Sequence, residues 1–212
     1  MELKITELFY SIQGESSYIG LPCIFIRVCG CNLRCHYCDT KYAYHEGKYY
    51  SIEKIMKFVG KYHTKLVTIT GGEPLLQPSV IPLTNCLLEK GYVVLVETNG
   101  SLPINVFSPK VIRIMDIKCP GSGMSNFMEW KNIDYLTIKD EVKFVLSDRD
   151  DYDWAKEIVL KYRLQRRCQV LFSPVFQKLS LSILAEWILS DQISVRLQPQ
   201  LHKIIWGEIR RR

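Results

Sequence analysis

Residues 23–38 read CIFIRVCGCNLRCHYC, an apolar segment that runs directly into three closely spaced cysteines. Residues 23–28 have the composition of a buried β-strand. The spacing of Cys31, Cys35 and Cys38 lets three thiolates wrap one face of a cuboidal iron–sulfur cluster. Such a cube has four irons, so three regular ligands leave one iron open. An open coordination position is typical of a catalytic metal site.

Two other interpretations of these cysteines remain open on residue types alone. A zinc ion could be bound by the three cysteines together with His36 or Cys29. Zinc knuckles usually contain two CxxC pairs, and one such pair is present here, so zinc is the weaker interpretation. Disulfides are weaker again, because eight cysteines in 212 residues fall below the density of disulfide scaffolds.

The N-terminal residues and the other cysteines indicate a reducing environment. Glu2, Lys4 and Glu7 interrupt any apolar N-terminal run, so we expect no secretory signal and a cytoplasmic location. Free cysteine behaves as a small buried hydrophobe. We therefore predict that the cysteines outside the cluster loop are reduced structural residues, namely Cys23, Cys29, Cys86, Cys119 and Cys168.

Composition narrows the class of protein. A chain of 212 residues with 47% hydrophobic content can bury about 70% of its unfolded surface as a single domain. No stretch approaches the roughly 20 apolar residues needed to cross a bilayer, so no membrane association is expected. The formal charge of +6 could indicate nucleic acid, but no recognised nucleic-acid motif accompanies it. An anionic small substrate explains the charge equally well.

Strand and helix patterns alternate along the chain. Helices are predicted after Ser51, between Pro78 and Gly91, and near residues 151–162 and 180–189. Strand patterns occupy residues 3–10, 23–28, 66–70, 92–97, 111–117, 135–139, 142–146, 169–172 and 195–198. This alternation predicts right-handed crossovers and a mainly parallel sheet. Five to seven of these strands belong to such crossover units, too few for a closed eight-stranded barrel, so the predicted fold is an open partial (β/α) barrel over residues 1–212.

A glycine turn follows the strand at residues 66–70. It reads Gly71-Gly72-Glu73-Pro74, and its two glycines allow the backbone to approach a ligand closely. In parallel sheets, ligands gather at this carboxyl end of the strands. The tetrapeptide alone is an ordinary turn. Together with the three cysteines and Tyr37, it resembles the radical S-adenosylmethionine (SAM) superfamily, in which the GGE backbone meets the amino group of SAM.

Further motifs, spread over nearly the whole chain, resemble the 7-carboxy-7-deazaguanine synthase family. They are residues 11–15 (SIQGE), 39–40 (DT), 97–100 (ETNG), 116–120 (DIKCP), 140–145 (DEVKFV) and 200–203 (QLHK). The resemblance implies a carbon–nitrogen lyase that converts 6-carboxy-5,6,7,8-tetrahydropterin to 7-carboxy-7-deazaguanine with loss of ammonia. This reaction lies on the route to queuosine and related deazapurines.

The resemblance also implies the cofactors and partners. They are a 4Fe–4S cluster held by the three loop cysteines, SAM on the open iron, and Mg²⁺. In this family the reduced cluster gives an electron to SAM, which releases a 5′-deoxyadenosyl radical, so no side chain is expected to act as a catalytic residue. A low-potential reductant such as flavodoxin or ferredoxin and a homodimer are implied, with neither nucleic acid nor membrane as a partner.

The site residues implied by the resemblance form three sets. The SAM positions are Tyr37, Gly72, Asp116, Ile117, Lys118 and Ser173. The substrate positions are Ile12, Gln13, Gly14, Glu15, Arg27, Thr70, Glu97 and His202. Thr40 is the Mg²⁺ position, and because one hydroxyl is a poor site, the ion is expected to bind only with substrate.

Within the substrate set, Arg27 is the cation suited to the substrate carboxylate. A pterin also presents a guanidine-like edge of N–H donors, which a carboxylate can accept in paired fashion. Either Glu15 or Glu97 could supply that carboxylate.

Two other functions share part of this pattern. A radical SAM activase that installs a glycyl radical on a partner protein has the cysteine loop and the glycine turn, but it needs a protein-docking surface. A non-enzymatic zinc or nucleic-acid binding module is the second alternative. The pairing of residues 13–15 with Thr40 favours the synthase, because neither alternative requires it.

Overall fold

The computed structural model describes residues 1–211. Within them, nine strands form one sheet: β1 (Glu2–Ile12), β2 (Pro22–Val28), β3 (Lys48–Ser51), β4 (Leu66–Gly71), β5 (Val93–Thr98), β6 (Ile112–Ile117), β7 (Glu141–Leu146), β8 (Gln169–Pro174) and β9 (Arg196–Leu197). The α-helices are α1 (Ile52–Val59), α2 (Val80–Glu89), α3 (Arg149–Lys161), α4 (Leu181–Ser190) and α5 (Leu201–Trp206). None of these helices has the length and apolar character needed to span a bilayer.

The sheet has the strand order β3-β1-β2-β4-β5-β6-β7-β8-β9. β1 is antiparallel to both of its neighbours, whereas every neighbouring pair from β2 to β9 is parallel. Helices α1 to α4 lie in the connections between successive strands, as crossover units require. The edge strands β3 and β9 stand at opposite ends of the order. The predicted α/β fold, an open partial (β/α) barrel with a mainly parallel sheet, is confirmed.

One predicted strand is wrong. Tyr135 is the last residue of a 3₁₀ turn over Trp130–Tyr135, and residues 135–139 pair with no strand of the sheet. The Asp140 carboxylate accepts hydrogen bonds from the backbone N–H and the hydroxyl of Thr137, at 2.8 and 2.7 Å. Local side-chain bonds of this kind stabilise a turn in place of a strand. β3 and α5 escape the sequence pattern because elements of four and six residues carry too little periodicity.

The helices bury the aliphatic side chains of the sheet. Ser51 caps α1 by accepting a hydrogen bond from the Lys54 N–H at 3.3 Å, and Ile55 and Val59 of that helix pack into the apolar cluster of β1, β2, β4 and β5. A second cluster joins α3 and α4 to β6, β7 and β8. Parallel strands covered in this way are apolar along their length. Polar side chains are therefore left for the strand ends, where the site lies.

A buried ion pair joins β6 to the turn before β7. The side chains of Arg113 and Asp140 are 7% and 0% exposed, and Nη2 lies 2.5 Å from Oδ2. The Arg113 backbone N–H donates to the same carboxylate at 2.9 Å. Burial acts to raise the pKa of Asp140, but hydrogen bonds from Arg113 outweigh it, and the pKa is lowered. A charged carboxylate thus ties two neighbouring strands together.

Replacement of this carboxylate should destabilise the fold. Asp140→Ala is expected to lower the free energy of unfolding by about 3–5 kcal/mol, because it leaves the Arg113 guanidinium buried without a counter-charge. Urea unfolding measures the loss. Asp134→Ala is the matched control, since Asp134 faces Arg167 at 3.6 Å with both side chains exposed, and it should cost less than about 1 kcal/mol. Equal losses in the two variants would contradict this account.

Candidate active site

A cavity of about 510 Å³ lies at the carboxyl ends of the parallel strands. This edge is where ligands bind in open α/β sheets. Ile117 and Ser173 are each 2% exposed and do not line the cavity. The other predicted site residues do: Ile12, Gln13, Gly14, Glu15, Arg27, Cys31, Cys35, Tyr37, Cys38, Thr40, Thr70, Gly72, Glu97, Asp116, Lys118 and His202.

The three loop cysteines share the cavity wall as free, partly exposed thiols. In residues 1–211, no three Cys, His, Asp or Glu side chains converge on a point that could hold a single metal ion. A cuboidal cluster takes each thiolate on a different iron, so its ligands are spread over one face. Three thiols on one wall of the cavity fit such a cluster.

Cys29 is not available as a competing ligand. It is 6% exposed, and its thiol lies 3.8 Å from the carbonyl oxygen of Tyr44. All five cysteines outside the loop are free thiols; Cys23, Cys29, Cys119 and Cys168 are buried, and Cys86 is partly exposed.

The glycine turn presses directly on the cysteine loop. A β-carbon on Gly72 would lie 1.9 Å from the carbonyl oxygen of Gly30, and Gly71 has φ of +143°. The Glu73 N–H donates to the same Gly30 carbonyl at 2.8 Å. Only glycine fits both positions, because side chains clash there or strain the backbone. The close approach brings the turn and the cluster loop to one wall of the cavity.

Glu73 braces this wall from behind. Its fully buried carboxylate accepts hydrogen bonds from the backbone N–H groups of Leu75 and Asn99, at 3.0 and 2.7 Å, and from the Thr98 hydroxyl at 2.9 Å. These bonds join the end of β4 to the end of β5. The sequence predicts the glycine turn but not the hydrogen bonds from Thr98 and Asn99 to Glu73, because these two residues lie about 25 positions further along the chain.

A network of alternating charges crosses the cavity floor. Lys143 of β7 lies 2.7 Å from Glu15 and 3.7 Å from Asp116, and Lys118 lies 2.8 Å from Asp116. Asp116 Oδ1 is buried without a hydrogen-bond partner among the described residues, so the cavity offers a free acceptor for a ligand donor. Nearby, the Tyr37 hydroxyl donates to the Val145 carbonyl at 3.2 Å. An acceptor of this kind suits a ligand that carries ammonium or hydroxyl groups.

The two predicted carboxylates have opposite electrostatic environments. Burial acts to raise the pKa of Glu15, but the Lys143 ammonium opposes it and the pKa falls to about 2. Gln200 also donates to Glu15, at 2.8 Å. Burial raises the pKa of Glu97, although the Thr70 hydroxyl donates to it at 2.7 Å. Glu15 is thus a fixed anion, while Glu97 is the carboxyl that holds a proton more readily.

A charged pair, Asp39 and Lys203, lies beside Thr40, the predicted Mg²⁺ position. The Thr40 hydroxyl donates to Asp39 Oδ1 at 2.7 Å, and Lys203 lies 2.5 Å from Asp39 Oδ2. Asp39, Lys203 and Lys143 line the cavity but are absent from the predicted set. All three lie within the sequence motifs described above, but neighbouring residues do not predict their partners. Asp39 and Lys203, for example, are 164 positions apart.

His202 closes the cavity over Gly14. A β-carbon on Gly14 would lie 2.1 Å from His202 Nδ1, and the Leu201 N–H donates to the Gly14 carbonyl at 2.9 Å. Burial lowers the pKa of His202, while the nearby Glu15 charge acts to raise it. The imidazole is therefore neutral at neutral pH and can accept as well as donate a hydrogen bond.

Comparison with known proteins agrees with this geometry. The family model described as the Radical SAM superfamily matches residues 25–163. The crystal structure of QueE from Escherichia coli superposes with a TM-score of 0.79 at 23% identity, over 95% of each chain, which shows a shared fold. Fold, cysteine loop and glycine turn together define a radical SAM enzyme, a class that uses a 4Fe–4S cluster, SAM and a reductant.

Sequence relatives define the family more closely. A 7-carboxy-7-deazaguanine synthase of Koribacter versatilis is 43% identical over 219 residues, covering 96% of this chain and 97% of the relative. The enzyme of the same name from Chlorobaculum tepidum is 43% identical over 211 residues, covering 97% and 94%. The chain belongs to the 7-carboxy-7-deazaguanine synthase family.

Cysteine substitutions test the ligand set. Cys31→Ala, Cys35→Ala and Cys38→Ala should each abolish reductive SAM cleavage and reduce the iron retained after anaerobic reconstitution, because each removes one cluster thiolate. Cys29→Ala is the matched control and should retain wild-type iron and cleavage, since its thiol faces the Tyr44 carbonyl. Normal cleavage in any of the first three variants would show that the ligand set is wrong.

The electrostatics of His202 can be measured by NMR. The His202 ring should titrate below the pKa of the same residue in denaturant, because burial disfavours the imidazolium. Glu15→Gln should lower that pKa further, since the Glu15 charge favours the imidazolium. His202→Gln assigns the signal. A pKa that rises in Glu15→Gln would contradict the geometry described here.

Proposed function

We propose that this chain converts 6-carboxy-5,6,7,8-tetrahydropterin to 7-carboxy-7-deazaguanine with loss of ammonia; its relatives are named for the product of this reaction. The observation that carries the proposal is one cavity in which Arg27, Glu15 and Glu97 share the walls with the three-cysteine loop. A cation and a carboxylate pair match the two ends of a carboxypterin, whose carboxylate and guanidine-like edge need opposite partners. Nothing in a glycyl-radical activase calls for this pair inside the cavity.

The two acidic side chains divide the recognition of the pterin ring. Glu15, held ionised by Lys143, is the acceptor for ring N–H and amino donors. Glu97, with the raised pKa, can accept at one oxygen and donate from the other when protonated. Arg27 takes the substrate carboxylate. Gln13, whose amide donates to Thr68 at 2.9 Å, and Thr70, which donates to Glu97, hold this wall in place.

The cofactors fit the remaining walls. Cys31, Cys35 and Cys38 would hold the cluster, and the cluster with SAM supplies the radical that starts the rearrangement. The Asp116 carboxylate, with its free buried oxygen, would accept from SAM, and the tight Gly72 backbone would contact its amino group. Lys118 fixes Asp116 at 2.8 Å and so keeps that acceptor in position.

Mg²⁺ would bind at Thr40 once the substrate is present. The Thr40 hydroxyl and the Asp39 carboxylate are adjacent, and both are oxygen ligands of the kind Mg²⁺ prefers. Lys203 neutralises Asp39, so the protein alone presents a weak cation site. A substrate carboxylate brought by Arg27 adds the charge that is missing. The ion would then orient that carboxylate during the reaction.

The wider assembly follows the same proposal. We expect residues 1–212 to act as one radical SAM domain, in a cytoplasmic homodimer that receives electrons from flavodoxin or ferredoxin. No nucleic-acid partner is proposed for the arginine-rich C-terminus. Arg210 and Arg211 instead contact Glu46 and Glu7 within the chain.

A turnover assay tests the function. Anaerobically reconstituted protein, given SAM, Mg²⁺ and a low-potential reductant, should form 7-carboxy-7-deazaguanine from 6-carboxytetrahydropterin without net SAM consumption, because the radical is recycled in this family. Mass spectrometry of product and of 5′-deoxyadenosine measures both quantities. Omission of Mg²⁺ should slow product formation. Robust SAM cleavage without pterin turnover would overturn the proposed reaction while leaving the superfamily assignment intact.

A further inference from the structure

Arg27 is held by a buried carboxylate that lies outside the cavity. Glu7 of β1 stands directly opposite Arg27 of β2 in the antiparallel pair, just after an irregularity between Ile5 and Glu7. Residues opposite each other on paired strands present their side chains on one face of the sheet. The Glu7 side chain is 2% exposed, and its Oε2 accepts from Arg27 Nε at 2.9 Å.

Glu7 is itself fixed by two further donors. The Tyr42 hydroxyl donates to Oε2 at 3.0 Å, and Arg211 Nε approaches Oε1 at 3.4 Å. Arg210 lies 3.4 Å above the Tyr42 ring, so the C-terminal residues cover this side of the carboxylate. A buried carboxylate with three donors has little freedom to move.

The contact leaves the fork of Arg27 free. The Nε edge is engaged by Glu7, whereas the two Nη atoms have no protein acceptor within residues 1–211. The guanidinium carbon lies 6.0 Å from the centre of the Phe9 ring, which stacks on Phe25. The Nε edge and the face of the Arg27 guanidinium are therefore fixed. The N–H groups of its two Nη atoms are left for a planar, bidentate acceptor such as a carboxylate.

The Glu7 carboxylate has two cationic partners on this side of the cavity. Arg27 and Arg211 are two guanidiniums that share the single Glu7 carboxylate. Glu7 therefore orients Arg27 without consuming its capacity to bind a second anion.

We propose that Glu7 is a positioning residue that aims the Nη pair of Arg27 at the carboxylate of the substrate. This inference rests on the proposed function for the identity of the substrate. It adds a residue that touches neither substrate nor cofactor, and that sets how strongly the enzyme prefers a carboxylated pterin over one without the carboxylate.

Equilibrium binding to the reconstituted holoenzyme with SAM and Mg²⁺ tests the proposal. The probes are pterin-6-carboxylate and unsubstituted pterin, followed by their fluorescence. Wild type should prefer the carboxylated probe by about tenfold or more, the effect of one charge-assisted pair. Glu7→Gln should lose most of that preference by weakening only the carboxylated probe. Glu89→Gln, which changes an exposed carboxylate at the end of α2, is the control and should keep it.

A double-mutant cycle separates positioning from general damage. In an Arg27→Met background, Glu7→Gln should change the preference no further, because both act through one guanidinium. Glu7→Asp keeps the buried charge and so spares the fold, but its shorter side chain cannot reach Arg27 Nε; its preference should also fall. A wild-type preference in folded Glu7→Asp or Glu7→Gln, or additive losses in the cycle, would overturn the proposal. So would a wild type that binds both probes equally.

The binding result is independent of turnover. If the protein fails to convert 6-carboxytetrahydropterin but still shows the Glu7-dependent preference for pterin-6-carboxylate, the proposed function fails and the positioning role stands. If turnover occurs and the preference does not depend on Glu7, the proposed function stands and the positioning role fails.

Discussion

The whole site depends on one close contact between backbones. Gly72 lies so near Gly30 that no β-carbon fits between them, and the neighbouring Gly71 adopts a positive φ that disfavours other residues. This contact extends the parallel pairing of β2 with β4, which runs as far as Val28 opposite Gly71. Because the two strands end together, the cysteine loop and the glycine turn face the same cavity. A side chain at either glycine would push the cluster loop away from the turn.

Charge organises the rest of the cavity around that contact. The floor carries Lys143 and Lys118 between acidic partners, and the opposite side carries Arg27 held by Glu7. Glu15, Asp116 and Glu7 therefore each meet a cation, which offsets the cost of burying both charges. Within the described residues, the unpaired groups include one oxygen of Asp116 and the Nη atoms of Arg27. Both are available to bind ligands.

Sequence alone predicts the parts of this site that are local. The cysteine spacing, the paired glycines and the alternation of strands with helices are each encoded within a few residues, and the structure places them as predicted. The failed strand at residues 135–139 shows the limit, since the carboxylate of Asp140 turns an apolar stretch into a loop. The sequence does not predict the roles of four further residues, Lys143, Asp39, Lys203 and Glu7, for a different reason. Each acquires its role from a partner distant in sequence; Lys143 and Glu15, for example, are 128 positions apart.

We expect the three cysteines and the adjoining glycine turn to hold a cluster with one iron open to SAM. Electron–nuclear double resonance of the reduced, reconstituted protein, with SAM labelled at its amino nitrogen and carboxylate, tests it most directly. The account predicts hyperfine couplings from both labelled groups, and their loss when the cluster is removed by Cys35→Ala. A fully formed cluster that shows no coupling to either label would contradict it.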